Sequence, residues 1–169
     1  MYFETGVLMQ GLERTRKDHD FKRAVVDHLA ENKMTSSMER LMKLAEEQAK
    51  INEALVGWVE RQVSKKGGVA YVVNPPDPLD LAANLARGLT DSPVGIAAEE
   101  RGDLYVMSLR SVQVDLNQFL RDFSRCCSVS GGGHKNAVGA RIPKRLFDVL
   151  VEELTWCISR LRWGPASSR

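Results

Sequence analysis

The chain has 169 residues, enough for one compact domain with its own core. Hydrophobic residues make up 43% and charged residues 27%, a globular balance, and no apolar run reaches the roughly 20 residues of a membrane helix. The net charge of +2 excludes a strongly basic nucleic-acid coat, but it is unevenly spread: ten Lys/Arg and five Asp/Glu fall between Arg110 and the C-terminus.

The first third reads as helical. Phe21, Val25 and Leu29 recur at helix spacing. A second helix is expected over 36–65, opened by a capping box of Ser36 and Glu39. Met38, Leu41, Met42, Ala45, Ala49, Val56, Val59 and Val63 form its apolar stripe, and Lys65-Lys66-Gly67-Gly68 would stop it. At about 1.5 Å per residue this helix would run to roughly 45 Å, long for a small domain, with Gly57 as a place to bend.

After Gly68 the period changes. Val69–Val73 is a short β-branched run, so a buried strand, ended by Asn74-Pro75-Pro76. A helix follows through Leu81, Leu85 and Leu89. Val94–Ala98 and Leu104–Leu109 read as two hairpin strands around a turn at 99–103. Asp115–Phe123 is a helix, Ala140–Ile142 a short strand, and Pro143 starts a terminal helix with Leu146, Phe147, Leu150, Val151, Leu154, Ile158 and Leu161 as its stripe. The expected class is α/β: a mixed sheet of four to five strands flanked by helices, preceded by an N-terminal helical arm. The expected division is a helical segment at 1–34, a main domain at 35–162 and a frayed tail at 163–169.

The three cysteines, Cys126, Cys127 and Cys157, have neither disulfide-framework nor zinc spacing. With no charged-then-apolar N-terminus, the reading is a cytoplasmic protein. Asp18-His19-Asp20 lies among basic residues, and His28 sits beside Leu29 on a helix. Neither reads as a metal site.

The chemistry is concentrated in Ser130-Gly131-Gly132-Gly133-His134-Lys135-Asn136-Ala137. Consecutive glycines let a ligand approach the main chain, and successive N–H groups can converge on an anion. His134 and Lys135 add donors, and Asn136 offers a donor and an acceptor. The segment lacks the Gly-Lys-Ser/Thr ending of a P-loop. A second cluster, Ser108-Leu109-Arg110-Ser111, ends a strand and offers a planar guanidinium fork and a hydroxyl.

Together, Ser-Leu-Arg-Ser, Val-Asp-Leu-Asn at 114–117 and Gly-Gly-Gly-His-Lys-Asn-Ala-Val-Gly-Ala-Arg-Ile resemble the DHH-associated C-terminal domain of the DHH phosphoesterases. Such enzymes include RecJ-type exonucleases, oligoribonucleases that also act on 3′-phosphoadenosine 5′-phosphate, and cyclic-dinucleotide phosphodiesterases. The resemblance covers about residues 68–155. It implies that Arg110, Ser111, Gly131, Gly132, Gly133, His134 and Asn136 contact a phosphate-bearing nucleotide or short single-stranded nucleic acid. It also implies a partner DHH catalytic domain that holds manganese. The chain shows no Asp-His-His motif, so the expectation is a substrate-binding part without its catalytic half, inactive alone and without a catalytic or metal residue of its own. The alternatives are a free-standing, non-catalytic nucleotide or nucleic-acid binder, and an interaction protein dimerising through an exposed stripe on the 36–65 helix.

Overall fold

The computed structural model describes residues 2–15 and 17–162, so the tail expected at 163–169 lies outside the described residues. The chain divides into two compact units with the boundary between Ala54 and Leu55.

The first unit is helical: α1 (Tyr2–Glu13), α2 (His19–Ala30), a 3₁₀ turn (Thr35–Ser37) and the first part of α3 (Glu39–Gln62). Asp18 caps α2, its carboxylate accepting from the Phe21 N–H at 2.9 Å. Val7, Phe21, Val25, Leu41 and Ala45 are buried together, whereas Leu29 is exposed, so the α2 stripe is narrower than its spacing suggests. The expected capping box is not formed. Ser36 lies in the 3₁₀ turn ahead of α3 and donates instead to Glu4, whose carboxylate accepts from Ser36 Oγ at 2.6 Å, Thr35 Oγ1 at 2.6 Å and the Ser36 N–H at 2.9 Å. A carboxylate bonded to three donors satisfies the turn better than one local hydroxyl can.

These bonds, with the Ser36 hydroxyl the largest and Thr35 next, hold the Glu4 pKa down from 4.5 to about 2. The folded value lies below the unfolded one. The contribution is therefore present above about pH 4.5 and is lost as pH falls towards 2. Glu4→Gln should thus lower the urea midpoint at neutral pH, and the gap to wild type should close as pH falls through that window. A gap independent of pH would show that the carboxylate charge does not hold the turn.

The second unit begins at Leu55, within α3, and contains a six-stranded mixed sheet. Its strands are β1 (Ser64–Lys66), β2 (Val69–Val73), β3 (Val94–Arg101), β4 (Leu104–Ser111), β5 (Ser130–His134) and β6 (Ala137–Pro143), with α4 (Leu79–Leu89), α5 (Leu116–Cys126) and α6 (Phe147–Arg162) between or after them. The spatial order is β1-β2-β3-β4-β6-β5. Among the described residues only β2 and β3 pair in parallel, joined through α4, and every other pair is antiparallel.

The sheet has one strand more than the upper expectation. Helix α3 ends at Gln62, and residues expected to continue it form β1 against β2, turning through Gly67 at φ +59°. The glycine segment is also a strand, β5, rather than a loop. Neither β1 nor β5 contains an apolar side chain beyond glycine, so hydrophobic periodicity carries no signal for either.

Each sheet face has its own core. One buries Val69, Val94, Ile96, Met107, Leu109, Val138 and Ile142 with α5 and α6, where Leu150, Leu154 and Ile158 are buried and Leu161 is not. The other buries Ala70, Val72 and Ala97 with Leu55 and Val59 of α3 and with α4. Helix α4 turns Ala82, Ala83 and Ala86 to the sheet, while Leu81 and Leu85 are partly buried and Leu89 is exposed. Gly95 permits this close approach: a Cβ there would lie 2.1 Å from the Ala83 carbonyl oxygen. No helix among the described residues is long and apolar enough to cross a membrane.

Candidate phosphate-binding site

The strand register builds the site. Arg110 of β4 lies opposite Ala137 of β6, and Ala137 lies opposite His134 of β5. Residues directly opposite one another project to the same face, so Arg110 and His134 flank Ala137 on one surface. With strands ~4.8 Å apart, their backbones are separated by about 10 Å, leaving a gap that two long side chains can close on an anion.

Arg110 is held by contacts within the chain. Its Nη1 donates to the Leu109 carbonyl at 3.1 Å, and Nη2 lies 3.5 Å from Asp80 Oδ2 in the first turn of α4. A guanidinium has five donors, so it can keep Asp80 and still bind a phosphate. Asp80 carried no signal in the sequence, because its contact depends on how α4 crosses the sheet.

His134 is exposed at the end of β5. The turn that follows it is fastened at both residues: Leu116 N–H donates to the Lys135 carbonyl at 2.8 Å, and Ser111 N–H to the Asn136 carbonyl at 3.0 Å. The Asn136 backbone is thus structural, while its side chain sits exposed at the turn beside His134.

Ser111 stands apart. It is buried and lies opposite Val94 on the other sheet face from Arg110. Its hydroxyl accepts from the N–H groups of Gln113 at 3.1 Å and Val114 at 2.8 Å, shaping the turn into α5. Asp115 then caps α5 by accepting from the Gln118 N–H.

The three glycines do different things. Consecutive N–H groups of an extended strand point to opposite edges, so they do not form the converging nest expected of a loop. A Cβ at Gly131 would lie 2.3 Å from the Gly139 carbonyl oxygen, and one at Gly133 2.4 Å from that of Ala137. Both are demanded by the close approach of β6. Around a Cβ at Gly132 there is nothing within 4 Å. Gly132, His134, Gly139 and Arg141 all lie exposed on the face that carries Arg110.

Among the described residues, no group of three or more His, Cys, Asp and Glu could hold a metal ion. Asp18 is committed to its cap and to Arg40 at 2.8 Å, and the Phe21 N–H followed by Arg40 holds its pKa below the usual carboxylate range. His28 Nε2 lies 3.0 Å from the Met34 carbonyl and 2.9 Å from Ser37 Oγ, within the helical unit. Manganese coordination therefore finds no ligand set among the described residues.

Residues 65–160 match the DHHA1 domain family. The chain belongs to the DHHA1 domain family. The matched span takes in Arg110, His134 and all of the sheet but the first residue of β1, as the resemblance in Arg110-Ser111 and Gly131–His134 implied. No curated protein sequence matches the chain. Among solved structures, the DHHA1 chain is similar to PggH, a pGpG-specific phosphodiesterase of Vibrio cholerae, with TM-score 0.64 and 11% identity over 85% of this chain and 51% of that one. RecJ of Thermus thermophilus in complex with Mg²⁺ gives 0.49 at 16% identity, covering 72% of this chain and 21% of RecJ. An exopolyphosphatase-related protein of Bacteroides fragilis gives 0.49 at 13%, covering 80% and 49%. At such identities the likeness to PggH is one of fold, and the DHHA1 chain spans about half the length of PggH.

Proposed function

We propose that this chain is the substrate-gripping part of a DHH-family phosphoesterase, which holds a phosphate-bearing nucleotide or short single-stranded nucleic acid and does not hydrolyse it alone. The observation that carries this reading is the placement of Arg110 and His134 in one row on one face of a DHHA1 sheet. Arg110 contributes a pre-oriented fork, His134 a ring donor, and Asn136 an amide at the rim of the same turn. Gly132 leaves the approach to the strand open.

Manganese-dependent chemistry would be supplied by a DHH catalytic domain acting on the ligand held here. The phosphodiesterase named among the similar folds supports that assignment. The three free cysteines support a reducing, cytoplasmic setting.

Mixing the purified chain with manganese and either a short RNA or 3′-phosphoadenosine 5′-phosphate tests the proposal. Saturable binding without product is the expected result. Robust turnover would overturn the non-catalytic reading, and absence of binding to either ligand would overturn the gripping role.

A further inference from the structure

We infer that the binding face continues past Arg110 and His134 into a second phosphate subsite at Arg141, so that the site selects oligonucleotides over mononucleotides. This rests on reading Arg110 and His134 as the first phosphate contact.

Strand β6 sets three rows on one face. Ala137 lies between Arg110 and His134, Gly139 between Ser108 and Gly132, and Arg141 between Val106 and Ser130. The first and third rows are four residues apart, about 13 Å along the strand. A single phosphate held in the first row leaves Arg141 unused, whereas a second nucleotide brings a phosphodiester towards it.

The middle row is bare for no reason internal to the fold. A Cβ at Gly132 would meet nothing within 4 Å, and one at Gly139 would meet only the Met107 carbonyl oxygen, at 3.8 Å. Gly131 and Gly133, by contrast, are forced by backbone contacts. Two glycines opposite one another on an exposed face, neither required by packing, leave a flat floor for a sugar or base. A hollow of about 390 Å³ lies on the Arg141 side of this floor, lined in part by Val106, Ser130, Gly139 and Arg141 and not by Gly132.

Arg141 supplies the charge. It is exposed and has no carboxylate partner among the described residues, unlike Arg101 and Arg125, which pair with Glu99 and Asp122. A guanidinium reaching from a strand to a phosphodiester reads no base, so the subsite should sense length and not sequence.

The test uses the full chain without added metal, titrated with adenosine 5′-monophosphate and with 5′-phosphorylated oligoadenylates of two and four nucleotides. Wild type should bind the dinucleotide about tenfold more tightly than the mononucleotide, the scale of one charged hydrogen bond. Arg141→Ala should keep mononucleotide affinity, lose that gain, and reduce the salt-dependence slope for the oligonucleotides by about 0.7. Arg141→Lys should retain most of the slope. An undiminished length gain in Arg141→Ala overturns the second subsite alone. Loss of mononucleotide affinity in Arg141→Ala also overturns it, since Arg141 would then belong to the first contact. If wild type fails to bind the mononucleotide, or Arg110→Ala leaves that binding unchanged, the first contact falls and the second falls with it.

Discussion

Arg110→Ala should weaken binding of a 5′-phosphorylated nucleotide on the order of 10- to 100-fold, while the protein stays folded. The loss follows from removing a charged hydrogen-bond donor, worth about 1.5–3 kcal/mol. The fold should tolerate the change because Arg110 is not part of either apolar core, although its side chain is only 20% exposed. Its one ion pair, with the exposed Asp80, is the kind that adds about 0–1 kcal/mol. Arg110→Lys should recover only part of the affinity, since an ammonium supplies a point charge without the planar fork. Titration calorimetry beside a thermal melt separates binding from stability. An unchanged dissociation constant would place Arg110 outside the site.

Asp80 makes this prediction sharper. Its carboxylate lies 3.5 Å from the guanidinium on the α4 side, and the proposed phosphate would share that group with it. Asp80→Asn would relax the orientation without removing the cation, so its effect on affinity should be smaller than that of Arg110→Ala.

Sequence patterning resolved the elements that bury apolar side chains. Strand β2 is a continuous apolar run covered on both faces, and α5 carries Leu116, Leu120 and Phe123 on one buried side. It failed where the structure is held by backbone and by small residues. Strands β1 and β5 have no apolar side chain to mark them. Helix α4 packs through alanines because Gly95 lets it sit close, while its more conspicuous leucines remain at the margin. For the site, residue chemistry pointed to Arg110 and His134, but their placement in one row depends on β6 inserting between β4 and β5. The β5–β6 pairing is a local hairpin around Lys135 and Asn136, but the pairing of β6 with β4 is long-range and has no local signature. The separation of Ser111 from Arg110 was legible in principle, because neighbours on a strand face opposite ways.

The glycines allow the strand and the ligand to be perturbed separately. Gly131→Ala places a methyl carbon 2.3 Å from the Gly139 carbonyl oxygen and 2.8 Å from the Ala140 Cα. Both are backbone atoms of the partner strand, so no side chain can swing aside to relieve the contact. Overpacking of this kind costs about 1–3 kcal/mol, and here it pushes β5 off β6. Since β5 carries His134, stability and ligand affinity should fall together. Gly132→Ala meets no such obstacle, so its melting temperature should stay close to wild type, within about 0.5 kcal/mol of stability. Its methyl group instead stands on the bare floor between the two arginine rows, and oligonucleotide affinity should fall severalfold with the fold intact. A Gly131→Ala protein as stable as wild type would contradict the tight pairing of β5 with β6. A Gly132→Ala protein that binds as tightly as wild type would show that ligand never reaches the floor. Unequal stability at the two glycines follows from packing alone, so the loss of affinity in a Gly132→Ala protein of unchanged stability is the outcome that reports on the ligand.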